Sequence, residues 1–153
     1  MNLLQVIRAI EAAAMNQPPV QSIVRNDVFR LNALPDARYG VFAWLQGEHQ
    51  AEADGDLMTY DFTFFYVDRL TFGKGNEIEI QSVGIEVLDN ILRALERYGI
   101  MPGHATFRTF NQRFSDECAG VFCRVTLEAP KGTVCADEFP DFNNDFNEDF
   151  KIF

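Results

Sequence analysis

The chain has 153 residues, 47% of them hydrophobic, and a formal net charge of −10. That length suits one domain with a core of its own, and the apolar content excludes a disordered chain. The acidic balance excludes a protein that grips nucleic acid through clustered Lys and Arg, and no run approaches the roughly 18 apolar residues of a membrane helix.

The first segment, MNLLQVIRAIEAAAMNQPP, lacks a basic leader and carries Arg8 and Glu11 inside its apolar pattern. That is unlike a signal peptide, so synthesis in the cytoplasm is expected. Leu3, Ile7, Ile10 and Ala14 recur at helical steps and predict a helix over 3–15. Asn2 and Gln5 have the spacing of a capping box, and Asn16 with Pro18-Pro19 ends the helix. Ala12-Ala13-Ala14 forms a smooth flank where a second backbone can approach.

A strand is expected over 20–31, with a bulge or bend at Asn26-Asp27, then a turn at Leu34-Pro35-Asp36. A second strand is expected over 39–46 and contains Trp44, the only tryptophan. The acidic stretch 47–56 reads as a solvated hairpin tip. The long strand starting at Leu57 puts Met58, Tyr60, Phe62, Phe64 and Tyr66 on one face and Thr59, Asp61, Thr63, Phe65 and Val67 on the other. The first face is apolar and the second mixed. A turn at Gly73-Lys74-Gly75 leads to Asn76 as a helix cap, with Glu77 and Glu79 in the first turn. Ile80, Val83, Val87, Leu88, Ile91, Leu95 and Tyr98 then form one stripe, and Gly99 suits a left-handed cap. After a loop at 101–103, residues 106–114 and 118–129 alternate as a closing hairpin, with Val121, Cys123, Val125 and Leu127 inward.

The predicted order is α-β-β-β-α-β-β. It implies an α+β domain over 1–130, an antiparallel sheet of about five strands with two helices on one face. Residues 131–153 are expected to form a separate arm. From 137 to 153 the sequence holds six carboxylates and one lysine, a net of −5. Phe139, Phe142, Phe146, Phe150 and Phe153 punctuate it at steps of 3, 4, 4 and 3. These side chains are expected to anchor the arm in a groove of another protein.

Catalytic signatures are missing: there is no P-loop, GxGxxG, GxSxG or HExxH. Neither His49, in an acidic loop, nor His104, beside a turn, stands in a nucleophile-and-base pattern. Cys118, Cys123 and Cys135 show no CxxC spacing and read as reduced, structural thiols. Asp116-Glu117 beside Cys118 disfavours a thiolate. Asp141, Asn143 and Asp145 match three positions of a calcium loop, but Phe146 stands where Gly is needed and Ile152 where a bidentate Glu is needed. Asp54-Gly55-Asp56 reads as a hairpin tip in preference to a weak cation site. The expectation is therefore no enzyme, no cofactor and no metal.

The arrangement as a whole resembles the tail terminator or tail-completion proteins of tailed bacteriophages. The elements that carry the resemblance are the Pro-marked entry to the first strand, the aromatic strand YDFTFFYVDRL, the long amphipathic helix, and the hairpin TFNQRFSDECAGVFCRVTLE. The resemblance implies a virion protein that forms a ring, usually a hexamer, at the neck or tail end. The implied partners are its own copies and other tail or neck proteins, with DNA passing through the bore. It implies no sequence-specific DNA contact, no membrane and no catalytic residues. Candidate ring contacts are the sheet edges and the flank of the first helix, with Ala13, Phe65 and Val67 as the named residues. Two other classes stay open: a monomeric phage assembly factor, and a bacterial ligand-binding α+β module with a closed apolar pocket.

Overall fold

The computed structural model describes residues 1–27, 39–71, 73, 75–111, 117–132 and 151–153. Helix α1 spans Leu3–Met15. It starts at a capping box in which Asn2 Oδ1 accepts from the Gln5 backbone and Gln5 Oε1 accepts from the Asn2 backbone, both at 2.9 Å. Helix α2 spans Glu77–Arg97. It ends as the sequence predicts: Gly99 takes a φ of 77°, its N–H donates to Glu96 O, and the Ile100 N–H donates to Leu95 O. Those two bonds satisfy carbonyls that the last turn leaves free. Asn76 precedes α2 but does not cap it. Its Oδ1 accepts from the Thr71 backbone and hydroxyl, and its Nδ2 donates to Arg69 O, so it ties down the connecting turn.

The strands are β1 (Ser22–Arg25), β2 (Val41–Ala51), β3 (Leu57–Arg69), β4 (Met101–Pro102), β5 (Thr106–Asn111), β6 (Cys118–Pro130) and β7 (Lys151–Ile152). They form one sheet in the order β4-β6-β3-β2-β1-β7, with β5 also on β6. The fold is α+β, as the element order implies, but the sheet is mixed. β1 runs parallel to β2, and β7 runs parallel to β1. The described part of β1 ends at Arg25 because Asn26 turns out of the strand at a φ of 54°. The chain returns through Gly40, whose φ of 84° and closeness to Pro19 O leave no room for a side chain. A connection of this length allows the parallel return that a two-residue hairpin forbids.

Three further elements depart from expectation. β2 continues through the acidic stretch to Ala51, absorbing a bulge between Gln46 and His49. Outward polar side chains do not stop a strand whose backbone still finds partners. Met101–Pro102 pairs with Leu127 and Glu128 on β6 where a loop is expected. Lys151–Ile152, placed in a separate arm by the sequence pattern, joins the sheet.

The main core lies between the two helices and one face of the sheet. Tyr60, Phe62, Phe64 and Tyr66 of β3 meet Val6 and Ile10 of α1 and Leu88, Ile91 and Leu95 of α2 in one buried cluster. Gly84 sits where α2 crosses the sheet: a Cβ there would lie 2.9 Å from Val121 and 3.0 Å from the Tyr66 ring. The opposite sheet face carries a second, smaller cluster of Val24, Val41, Ala43, Phe65, Val67, Phe110 and Cys118.

Candidate interaction surface

The most concentrated polar chemistry among the described residues is a carboxylate in the core wall. Glu11 lies on the buried side of α1 and is 4% exposed. Arg25, the last residue of β1, reaches it with Nε at 2.6 Å and Nη2 at 2.7 Å. The Trp44 Nε1–H of β2 donates to the same carboxylate at 3.2 Å. A buried carboxylate needs such partners, because desolvation without them costs several kcal/mol. The hydrogen bond to Glu11 raises the Arg25 pKa above its ordinary value, against the opposing effect of burial. The group therefore joins α1, β1 and β2 as a charged clamp. Nothing in the apolar spacing of α1 predicts it. Its sequence signals are a glutamate set among buried alanines and a lone tryptophan.

Arg25 also holds the end of the described chain. Its backbone N–H donates to Phe153 O at 2.9 Å, and the Phe153 N–H donates to Ile23 O at 2.9 Å. The half-buried Phe153 side chain packs against the second cluster. Phe153 is thus set on the chain's own sheet. Phe139, Phe142, Phe146 and Phe150 lie outside the described residues, as does the Asp141–Asp145 match to a calcium loop.

The ring candidates are not surface residues of the single chain. Ala13 is 1% exposed inside the main core, so the alanine flank faces inward. It does so because small side chains let α1 lie close to its neighbours. Phe65 and Val67 are buried in the second cluster. What the single chain leaves open is different. β5 pairs with β6 on one side and with no described strand on the other. Its Thr106, Arg108, Thr109 and Asn111 are exposed. Beyond the second cluster, the same sheet face becomes polar: Thr59, Asp61, Thr63 and Thr126 are half-buried, and Arg124 and Glu128 are exposed. The Thr126 hydroxyl donates to Asp61 there at 2.6 Å. Leu57 and Met101, 43% and 55% exposed, close that end of the sheet.

The groups with nucleophilic or ligating chemistry lie apart. Cys123 is buried in the main core, and burial pushes its pKa up to about 12, with a backbone hydrogen bond at Phe64 pulling the other way. A thiol held protonated is a poor nucleophile. His49 Nε2 lies 3.2 Å from Gln46 Oε1, and its ring packs edge-on to Tyr60. His104 Nε2 is 3.5 Å from the Thr106 hydroxyl. Among the described residues no three His, Cys, Asp or Glu side chains group closely enough to hold a metal ion. No helix among them is long and apolar enough to cross a membrane. No protein-family model matches the chain, and no curated protein does.

Proposed function

We propose that the chain is a structural subunit of a tailed-phage virion, of the tail-terminator or tail-completion type, which assembles head to tail into a ring at the neck or tail end. The observation that supports this reading is the difference between its two sheet edges. One edge is β5, exposed and without a second partner among the described residues. The other is β7, two residues long on the far side of the sheet. A closed ring is built from heterologous contacts, in which one surface of each copy meets a different surface of the next. The polar side chains and Arg108 on β5 disfavour indiscriminate edge pairing and leave pairing to a matched neighbour. Other neck or tail proteins and the DNA in the bore are the further partners of such a ring, and the role requires no catalytic residue.

Size-exclusion chromatography with light scattering tests the reading. A hexameric ring has six times the 17.4 kDa of one chain. The mass of a single chain at every concentration up to the millimolar range would overturn it.

A further inference from the structure

We propose that the strand Lys151–Phe153 is an exchangeable clasp, docking in the ring onto the β1 edge of the next copy as it docks onto its own β1 in the single chain. The proposal rests on the ring reading and states how its copies are joined.

The grip of this strand is small. Ser22 pairs with Lys151 and Ile23 with Ile152. The bonds Phe153 N–H to Ile23 O and Arg25 N–H to Phe153 O complete it. One phenyl ring in the second cluster is the apolar contribution of Phe153. So short a strand has little stability without the edge it pairs with. The edge itself is built independently, because β1 is fixed to β2 over Ser22–Arg25 and to α1 through Arg25 and Glu11.

Reach then allows two arrangements. Residues 131–150 separate this strand from Pro130 at the end of β6. In the sheet, β6 and β7 are separated by β3, β2 and β1. Four strand spacings of about 4.8 Å put them roughly 19 Å apart across the sheet, and because Lys151 lies level with Gly120, well before Pro130 at the end of β6, the two ends of the tether are about 38 Å apart. This connection reaches up to about 66 Å when extended. A domain of this size is about 40 Å across. The tether therefore reaches its own edge with slack to spare, and it reaches the equivalent edge of a neighbouring copy wherever that edge lies within about 66 Å of Pro130. Both arrangements make the same hydrogen bonds and seat the same ring, which is the condition for exchange at low cost. Within a ring the neighbour's edge is held at an effective concentration in the millimolar range, comparable to that of the chain's own. Exchange seats a strand of each copy, by hydrogen bonds and burial, in its neighbour's sheet, so the assembly gains a tie and each β1 edge keeps the same contacts.

Cysteines at the paired positions Ser22 and Lys151 decide the matter. Neighbouring strands hold Cα atoms within the range that a disulfide spans. Two single variants, Ser22→Cys and Lys151→Cys, are made in a Cys135→Ser background, mixed under native conditions, and oxidised. The expected result is a disulfide-linked pair at twice the 17.4 kDa chain mass in the mixture and in neither variant alone, and a ladder of linked chains from the double variant. An assembled ring in which the double variant links only within each chain, and the mixture links nothing, overturns exchange and leaves the ring reading standing. A single-chain mass in light scattering overturns both. If Ser22→Cys does not fold, a chain ending at Phe150 replaces it. Retained circular dichroism with loss of the ring supports exchange, and a ring of unchanged mass and stability overturns it.

Discussion

Gly120 sits where a methyl group has no room. A Cβ built on it would lie 2.0 Å from Tyr66 O on β3 and 2.8 Å from the Phe110 ring on β5. The first obstacle is backbone in the centre of the sheet and cannot swing aside. Gly120→Ala is therefore expected to destabilise the fold by at least about 2 kcal/mol, in the upper range for overpacking. The midpoint of urea unfolding measures it, and an unchanged midpoint would mean that β3 and β6 separate easily there. Titration of buried acids gives a second expectation. Cys123 has an ordinary value of 9.0 and is pushed up to about 12 by burial. Burial also raises Tyr60 and, with Asp68 beside it, Tyr66, above their ordinary 10.0. The native state therefore holds these protons more tightly than the unfolded chain. Their contribution to stability is complete below about pH 9 and is lost as pH rises toward 12. Urea midpoints should be level from about pH 7 to 8.5 and fall steadily above 9. A level profile through pH 11 would show that these side chains reach solvent.

At the scale of elements, the clamp between α1 and the sheet is asymmetric. Arg25 has a side chain 50% exposed, and that of Glu11 is 5% exposed. Removing Glu11 leaves a guanidinium that water can solvate. Removing Arg25 leaves a buried carboxylate whose remaining hydrogen bond among the described residues comes from the Trp44 N–H. Arg25→Ala is therefore expected to cost more, about 3 kcal/mol against about 1.5 kcal/mol for Glu11→Ala. Fluorescence of the lone tryptophan should report both losses. The reverse order would mean that the clamp opens to water and that the pairing carries little of the stability. Legibility in the sequence divides along similar lines. The faces of β3, the stripe of α2, its Gly99 cap and the inward side of β6 follow from spacing alone, because one periodicity decides each of them. The parallel placement of β1 does not follow, since strand direction is set by where a long connection returns. The Ala12–Ala14 segment misleads for a related reason: a small-residue flank promises close approach but does not say to what. The Glu11–Arg25–Trp44 clamp joins three elements and has no local pattern, and the β7 pairing depends on an edge more than a hundred residues away in the chain.

For the whole molecule, net charge and assembly oppose each other. Each copy carries −10, and residues 137–153 hold half of it. Bringing like-charged copies into a ring works against Coulomb repulsion whose range is set by salt, about 30 Å at 0.01 M and about 8 Å at 0.15 M. The contacts invoked to join copies, a strand on a sheet edge and a phenyl ring in an apolar cluster, are backbone hydrogen bonds and burial, which salt screens little. Screening should therefore remove the penalty and leave the attraction. The concentration at which half of the chains are assembled is expected to fall several-fold as salt rises from about 0.01 to 0.15 M, followed by light scattering at constant pH. Calcium at matched ionic strength should do no more than sodium, because the calcium-loop match at Asp141, Asn143 and Asp145 has Phe146 in place of Gly and Ile152 in place of the bidentate Glu. If salt instead dissolves the assembly, attraction between opposite charges holds the copies together, and the exposed Arg108 and Arg124 become the first side chains to remove. A response to calcium far beyond its ionic strength would locate the missing attraction in carboxylates bridged between copies.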